Sequence, residues 1–187
     1  MKKLVLGLMS FTLASVIAAP VKMSAEGQNT FMKEMPIFYT SNSEIAQSIY
    51  NADLFNASAQ LAVKLQHVSD GHSLAYDEMP LYGSNDILLS VEDTLDVYKS
   101  NRTQLSESMK SMSDPAAIKV LSMHLKAING YVTANSYLKK YYKSPTQYNL
   151  NMYLKYDNNA YDLAVQIEDI SQERYFYHLN KALDSLE

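Results

Sequence analysis

The chain has no cysteine and no tryptophan, and its 187 residues include only five glycines and five prolines. Without cysteine there is no disulfide, thiolate metal site, thiol nucleophile, c-type haem attachment or lipid-anchored start. Beyond residue 25 the glycines are Gly27, Gly71, Gly83 and Gly130. They are too scattered for a phosphate-cradling loop, and no Gly-x-Ser-x-Gly turn occurs. Glu-x-x-His, His-x-x-x-His and His-Glu-x-x-His are also missing, which removes the di-iron carboxylate bundle and the helical zinc hydrolase. A paired-carboxylate glycosidase would be unusual on an all-helical chain lacking tryptophan. No catalytic residue is assigned, and the chain reads as a non-enzyme.

Positive charge is also in short supply. The formal net charge is −4, and removing residues 1–25 takes away Lys2, Lys3 and Lys22 but no acidic residue, leaving −7. All of that excess lies between Glu26 and Ser113, and the chain from Asp114 onward is balanced. So acidic a chain is a poor partner for nucleic acid, where affinity rests on neutralising phosphates.

The one long apolar run is at the start. Lys2-Lys3, the stretch Leu4–Ala19, and small residues at Ser24-Ala25 have the layout of a secretory signal peptide, with cleavage expected after Ala25. The run is short for a spanning helix and no second one follows, so the mature chain is expected to be exported, periplasmic or extracellular, and not transmembrane. Glu26–Thr40 is read as an irregular lead-in, apolar enough to pack on the rest and interrupted by Pro36. Residues 41–187 are read as the folded domain.

What the chain does have is helical periodicity. Leu88, Val91, Leu95, Tyr98, Arg102, Leu105, Met109 and Met112 alternate spacings of three and four, the seam of a helix packed lengthwise on others. Arg102 is the one charge in that seam. An earlier helix is expected from the capping box at Ser41–Glu44 to about Ser69, stopped by Asp70-Gly71. It carries two stripes, Ile45, Ile49, Ala52, Phe55, Ala59, Ala62 and Tyr50, Leu54, Ala57, Leu61, Leu65, Val68, on roughly opposite sides. Either the lead-in or a second subunit, in a homodimer, would cover its back. His72–Gly83 is read as a connection presenting Tyr76, Tyr82 and Asp77-Glu78. Ser113-Asp114-Pro115 restarts a third helix that runs to Lys143, again with two stripes. Ser144-Pro145-Thr146-Gln147 starts a fourth, with serine as its cap, reaching towards Leu186 and bending or breaking at Asp157-Asn158-Asn159. The expected fold is all-α, an antiparallel up-down-up-down bundle of four long helices with the last longer or bent.

Tyrosine is the compositional signature: ten of fifteen fall between Tyr131 and Tyr177. Tyr137, Lys139, Lys140, Tyr141, Tyr142 and Lys143 form a basic, aromatic run at a helix end. With Tyr76 and Tyr82 it makes the candidate binding patch for a protein, glycan or envelope surface, since tyrosine offers apolar area with a polar tip. His124 is expected to be a hydrogen-bonded core residue and His67 a surface one. The alternative function is a haem- or metal-binding bundle of the b-type cytochrome kind, with His178 and Met35 (or Met32) as the iron ligands. If the second and fourth helices run parallel, Arg102 falls near the level of Glu168, and the two are expected to form a buried ion pair.

Overall fold

Residue patterning of this kind produces four helices in the computed structural model, which describes residues 43–82 and 85–185. They are α1 (Ser43–Tyr82), α2 (Asn85–Met109), α3 (Pro115–Lys143) and α4 (Gln147–Asp184), and no strand occurs among the described residues. The expected signal segment and lead-in, with Met32 and Met35, lie outside the described residues.

Contacts across the core fix the directions. Phe55 stacks on His178, Ser58 bonds Ser171 and His72 bonds Asp157, so α1 and α4 are antiparallel. Tyr98 meets His124 and Glu92 meets Asn135, so α2 and α3 are antiparallel too. α1 touches all three other helices, whereas α2 and α4 make no contact with each other. The bundle is therefore a rhombus with α1 and α3 across its short diagonal and α2 and α4 at its far corners. The seam helix is an outer wall, and the two striped helices are inner.

The stripes of α1 are used in succession. Ile45, Ala52, Phe55, Ala59 and Ala62 are buried along its first half, and Leu61, Leu65 and Val68 along its second. A 3.6-residue helix drifts against a heptad-like repeat, and the buried face winds round the helix as it advances. On α3 one stripe is core throughout, with Val120, Met123, Ala127, Tyr131, Ala134 and Leu138 buried, while the other is split: Leu121 and Ile128 are buried and Ile118, Leu125 and Val132 are exposed.

Two boundaries differ from expectation. α1 does not stop at Asp70-Gly71 but continues to Tyr82, so the His72–Gly83 connection is a helix for most of its length. Gly71 serves a close crossing instead, since a Cβ there would lie 2.9 Å from Val91 Cγ2 on α2. α4 runs unbroken through Asp157-Asn158-Asn159, because Asp157 turns its carboxylate into the core rather than onto its own backbone. Both restarts occur, but the cap of the fourth helix is not the expected Ser144. Asp114 caps α3, its Oδ1 accepting from the Ala116 amide at 2.9 Å with Pro115 at the first turn. For α4 the cap is Thr146, accepting from the Asn149 amide at 3.2 Å, and Ser144 closes α3.

Candidate functional site

At the end where α1 finishes, α3 finishes and α4 begins, tyrosines from all three helices converge. Tyr76 of α1 lies 6.0 Å from Tyr141 of α3 and 6.3 Å from the buried Tyr153 of α4, centroid to centroid. On the neighbouring flank Tyr137 stacks on Tyr156 at 5.9 Å with planes 7° apart, and meets the edge of Tyr148 at 6.2 Å. Lys140 sits 4.5 Å over the Tyr137 ring and Lys155 5.9 Å over Tyr156, distances at which an ammonium is attracted to the ring face. Lys140 and Lys143 stand in the last turn of α3, where cations offset the carbonyl end of the helix dipole.

The sequence-derived patch is thus partly assembled. Tyr76, Tyr137, Lys140 and Tyr141 share this end, and Tyr142 packs against the small core beneath it with Tyr153, Leu138 and Ala134. Lys139 turns away to pair with Glu92 of α2, and Lys143 is exposed at the helix end. Tyr82 is the last residue of α1, and the position of its side chain lies outside what is described. Tyr148 was not read as part of the patch. It is 64% exposed and is the most open ring of the group. Its place two residues after the Thr146 cap, at the same end as Tyr137, was the available signal.

Beneath the tip the interior is polar at three levels. Nearest to it, the Asp157 carboxylate accepts from Ser69 Oγ on one oxygen and from His72 Nδ1 at 2.7 Å on the other. His72 is fully buried between Tyr131 and Tyr153, and its Nε2 has no hydrogen-bond partner. Burial, followed by the nearby Asp157 charge, raises both phenols far above their ordinary range, and both rings stay protonated. Ser69 bonds to the carboxylate and not to the imidazole, so the group lacks the serine–histidine contact of a nucleophilic triad.

The middle level is a chain of four groups: Tyr98 OH, the two nitrogens of His124, Ser58 Oγ at 2.9 Å and Ser171 Oγ a further 2.9 Å on. Burial pushes the His124 pKa down to about 3, and the Arg102 charge pushes the same way. A neutral imidazole donates at one nitrogen and accepts at the other, so the chain is polarised in one direction along its whole length. Arg102 ends here too, its Nη2 3.5 Å from the Leu121 carbonyl. The expected Arg102–Glu168 ion pair is not formed. Glu168 accepts from Gln66 at 2.7 Å and Gln172 at 2.9 Å, and it stands on the helix diagonally opposite α2.

The far level surrounds Asp114. Its Oδ2 accepts from Arg174 Nε at 2.8 Å and from His178 Nε2 at 2.8 Å. Burial alone would raise this carboxyl, but the Ala116 amide, Arg174 and His178 outweigh it and hold the pKa low. Burial likewise lowers His178 against the pull of Asp114. With Phe55 stacked 5.7 Å from its ring, His178 braces the cap of α3, and Nε2 is not free for an iron.

No cluster of three or more potential metal-ligating residues exists among the described residues, and no described helix is long and apolar enough to cross a membrane. His67 lies on the surface, 3.0 Å from Asp70. No family model, curated protein or solved structure matches this chain.

Proposed function

We propose that this chain is an exported, non-catalytic helical bundle whose tyrosine–lysine end binds a protein, glycan or envelope surface outside the cytoplasm. The observation that carries the reading is the convergence at one end of Tyr76, Tyr137, Tyr141 and Tyr148 with Lys140 and Lys155 beside them. Rings held by neighbouring rings lose little further freedom on binding, so they give contact area at low entropic cost. The histidine networks support the same reading, because each is engaged in holding helices together.

The test is co-sedimentation of the purified chain with washed envelopes of the cells that produce it, with intact mass reporting a start at Glu26. Tyr76→Ser with Tyr148→Ser removes two exposed rings and leaves the buried Tyr153 in place. Retention on the envelopes is expected to fall at least tenfold, with the helical circular dichroism unchanged. Equal retention of the double variant would remove the tip from the binding surface.

A further inference from the structure

Among the described helices α3 alone lacks an acidic residue: between Pro115 and Lys143 it carries five lysines and neither aspartate nor glutamate. In a chain of formal net charge −4, that concentration of positive charge is local. Lys119, Lys126, Thr133 and Lys140 recur at every seventh position and so share one face. Gly130, where α3 meets Ala160 of α4, lies four positions after Lys126, so the row runs beside the α3–α4 crossing. Lys119 and Lys140 are 21 residues apart, about 31 Å along the axis. All three lysines are exposed, and none has an ion-pair partner among the described residues. From Gln147 to Tyr161 the neighbouring α4 has one carboxylate, and Asp157 turns it inward.

The row leads into the tyrosine end. Lys140 lies over Tyr137, Tyr137 stacks on Tyr156, and Lys155 lies over Tyr156. Those ring faces are already in use, and Tyr148 is left as the open ring. Single-stranded nucleic acid binds by stacking successive bases on open rings, which this edge does not offer. Successive lysines also stand about 10 Å apart, too sparse for a polymer charged every few ångströms. A sugar needs one apolar platform and polar groups for its hydroxyls, and the exposed amides of Asn129 and Asn159 lie three after Lys126 and one before Ala160. We infer that the ligand of the tyrosine end is a linear polysaccharide bearing carboxylates. A sugar ring rests on Tyr148, and acid groups farther along the polymer meet Lys140, Lys126 and Lys119 in turn. This rests on the tyrosine end being a binding surface, and extends that surface along α3.

Titration calorimetry of the purified chain with polygalacturonate tests this. Binding is expected at low salt, weakening as salt rises, with none to neutral dextran. Lys119→Gln with Lys126→Gln, both outside the tyrosine end, weakens it about tenfold, the sum of two exposed ammonium–carboxylate contacts. Lys99→Gln with Lys110→Gln on α2 removes the same charge and leaves binding unchanged. Circular dichroism of both variants matches wild type. Polygalacturonate that does not bind overturns the inference, as does binding indifferent to Lys119 and Lys126. Oligothymidylate or phosphatidylglycerol vesicles bound as tightly as polygalacturonate overturn it too. The tip is judged separately: envelope retention that depends on Tyr76 and Tyr148, without polygalacturonate binding, removes the acidic polysaccharide and keeps the binding surface.

Discussion

His124 is held neutral by its surroundings, and that has a measurable sign. Its pKa falls from 6.5 to about 3 on folding, so between those values the unfolded chain binds a proton that the folded chain refuses. Stability contributed by this group is complete above pH 6.5 and is lost as pH falls, at about 1.4 kcal/mol per unit. Asp53 on α1 acts the other way, because burial raises it from 3.8 to about 6. Its folded form favours the proton, so acidification between about 6 and 4 is stabilising there and masks the histidine. The His124→Gln variant separates them. At pH 7 it is less stable than wild type, having lost bonds to Tyr98 and Ser58. In urea unfolding from pH 6.5 down to 4 that gap is expected to shrink by roughly 1 kcal/mol per unit. A gap independent of pH would mean that His124 is not a buried neutral group. This histidine was visible in the sequence, since it sits in phase with apolar neighbours. Its partners were not, because Ser58 lies 66 positions away and local pattern carries no information about such pairs.

Among the elements, α3 and α4 owe their closeness to one missing side chain. A Cβ on Gly130 would stand 2.9 Å from Ala160 Cβ and 3.4 Å from the Tyr156 carbonyl, atoms that belong to or hang directly from the α4 backbone. Relief requires the helices to part. Gly130→Ala gains about 1 kcal/mol of helix propensity but loses more through overpacking, for a net destabilisation of about 1–2 kcal/mol in denaturant titration. A stabilised variant would show that the crossing yields easily. The contrast with Gly71 shows which signals the sequence transmits. Asp114-Pro115 and Pro145-Thr146 mark helix starts through local chemistry, and both starts are there. Asp70-Gly71 has the same local look of a boundary, yet tertiary packing against Val91 overrides it. Asp157 misleads similarly. In an Asp-Asn-Asn run it reads as a break, but it lies four after Tyr153 and three before Ala160, in phase with the core row. A polar residue in core phase was the signal for a buried network, as at Ser171 and His178.

For the whole molecule, the four-helix order followed from periodicity and short connections, and the two-striped first and third helices pointed to the inner pair. Level along the axis is readable from helix lengths, which is why Arg102 and Glu168 were matched; azimuth depends on which faces meet, and they fall at opposite corners. The tyrosine run was legible as a patch at one bundle end. Which of its residues turn inward, such as Lys139 towards Glu92, depends on a helix far back in the chain. The rhombic arrangement also makes the four helices unequal in how they are held. α1, α3 and α4 form a mutually touching trio, and α2 rests on the outside of two of them, with Leu89 and Val97 open to solvent. A leaf attached along one side detaches at lower cost than the trio comes apart, and each such opening leaves a three-helix remainder with its own interior. Amide hydrogens of residues 85–109 are expected to exchange well ahead of those of 147–184, and uniform protection across both would show that the leaf opens only when everything does. On that footing the bundle is a closed book with a loose cover, and opening the cover parts Glu92 from Lys139.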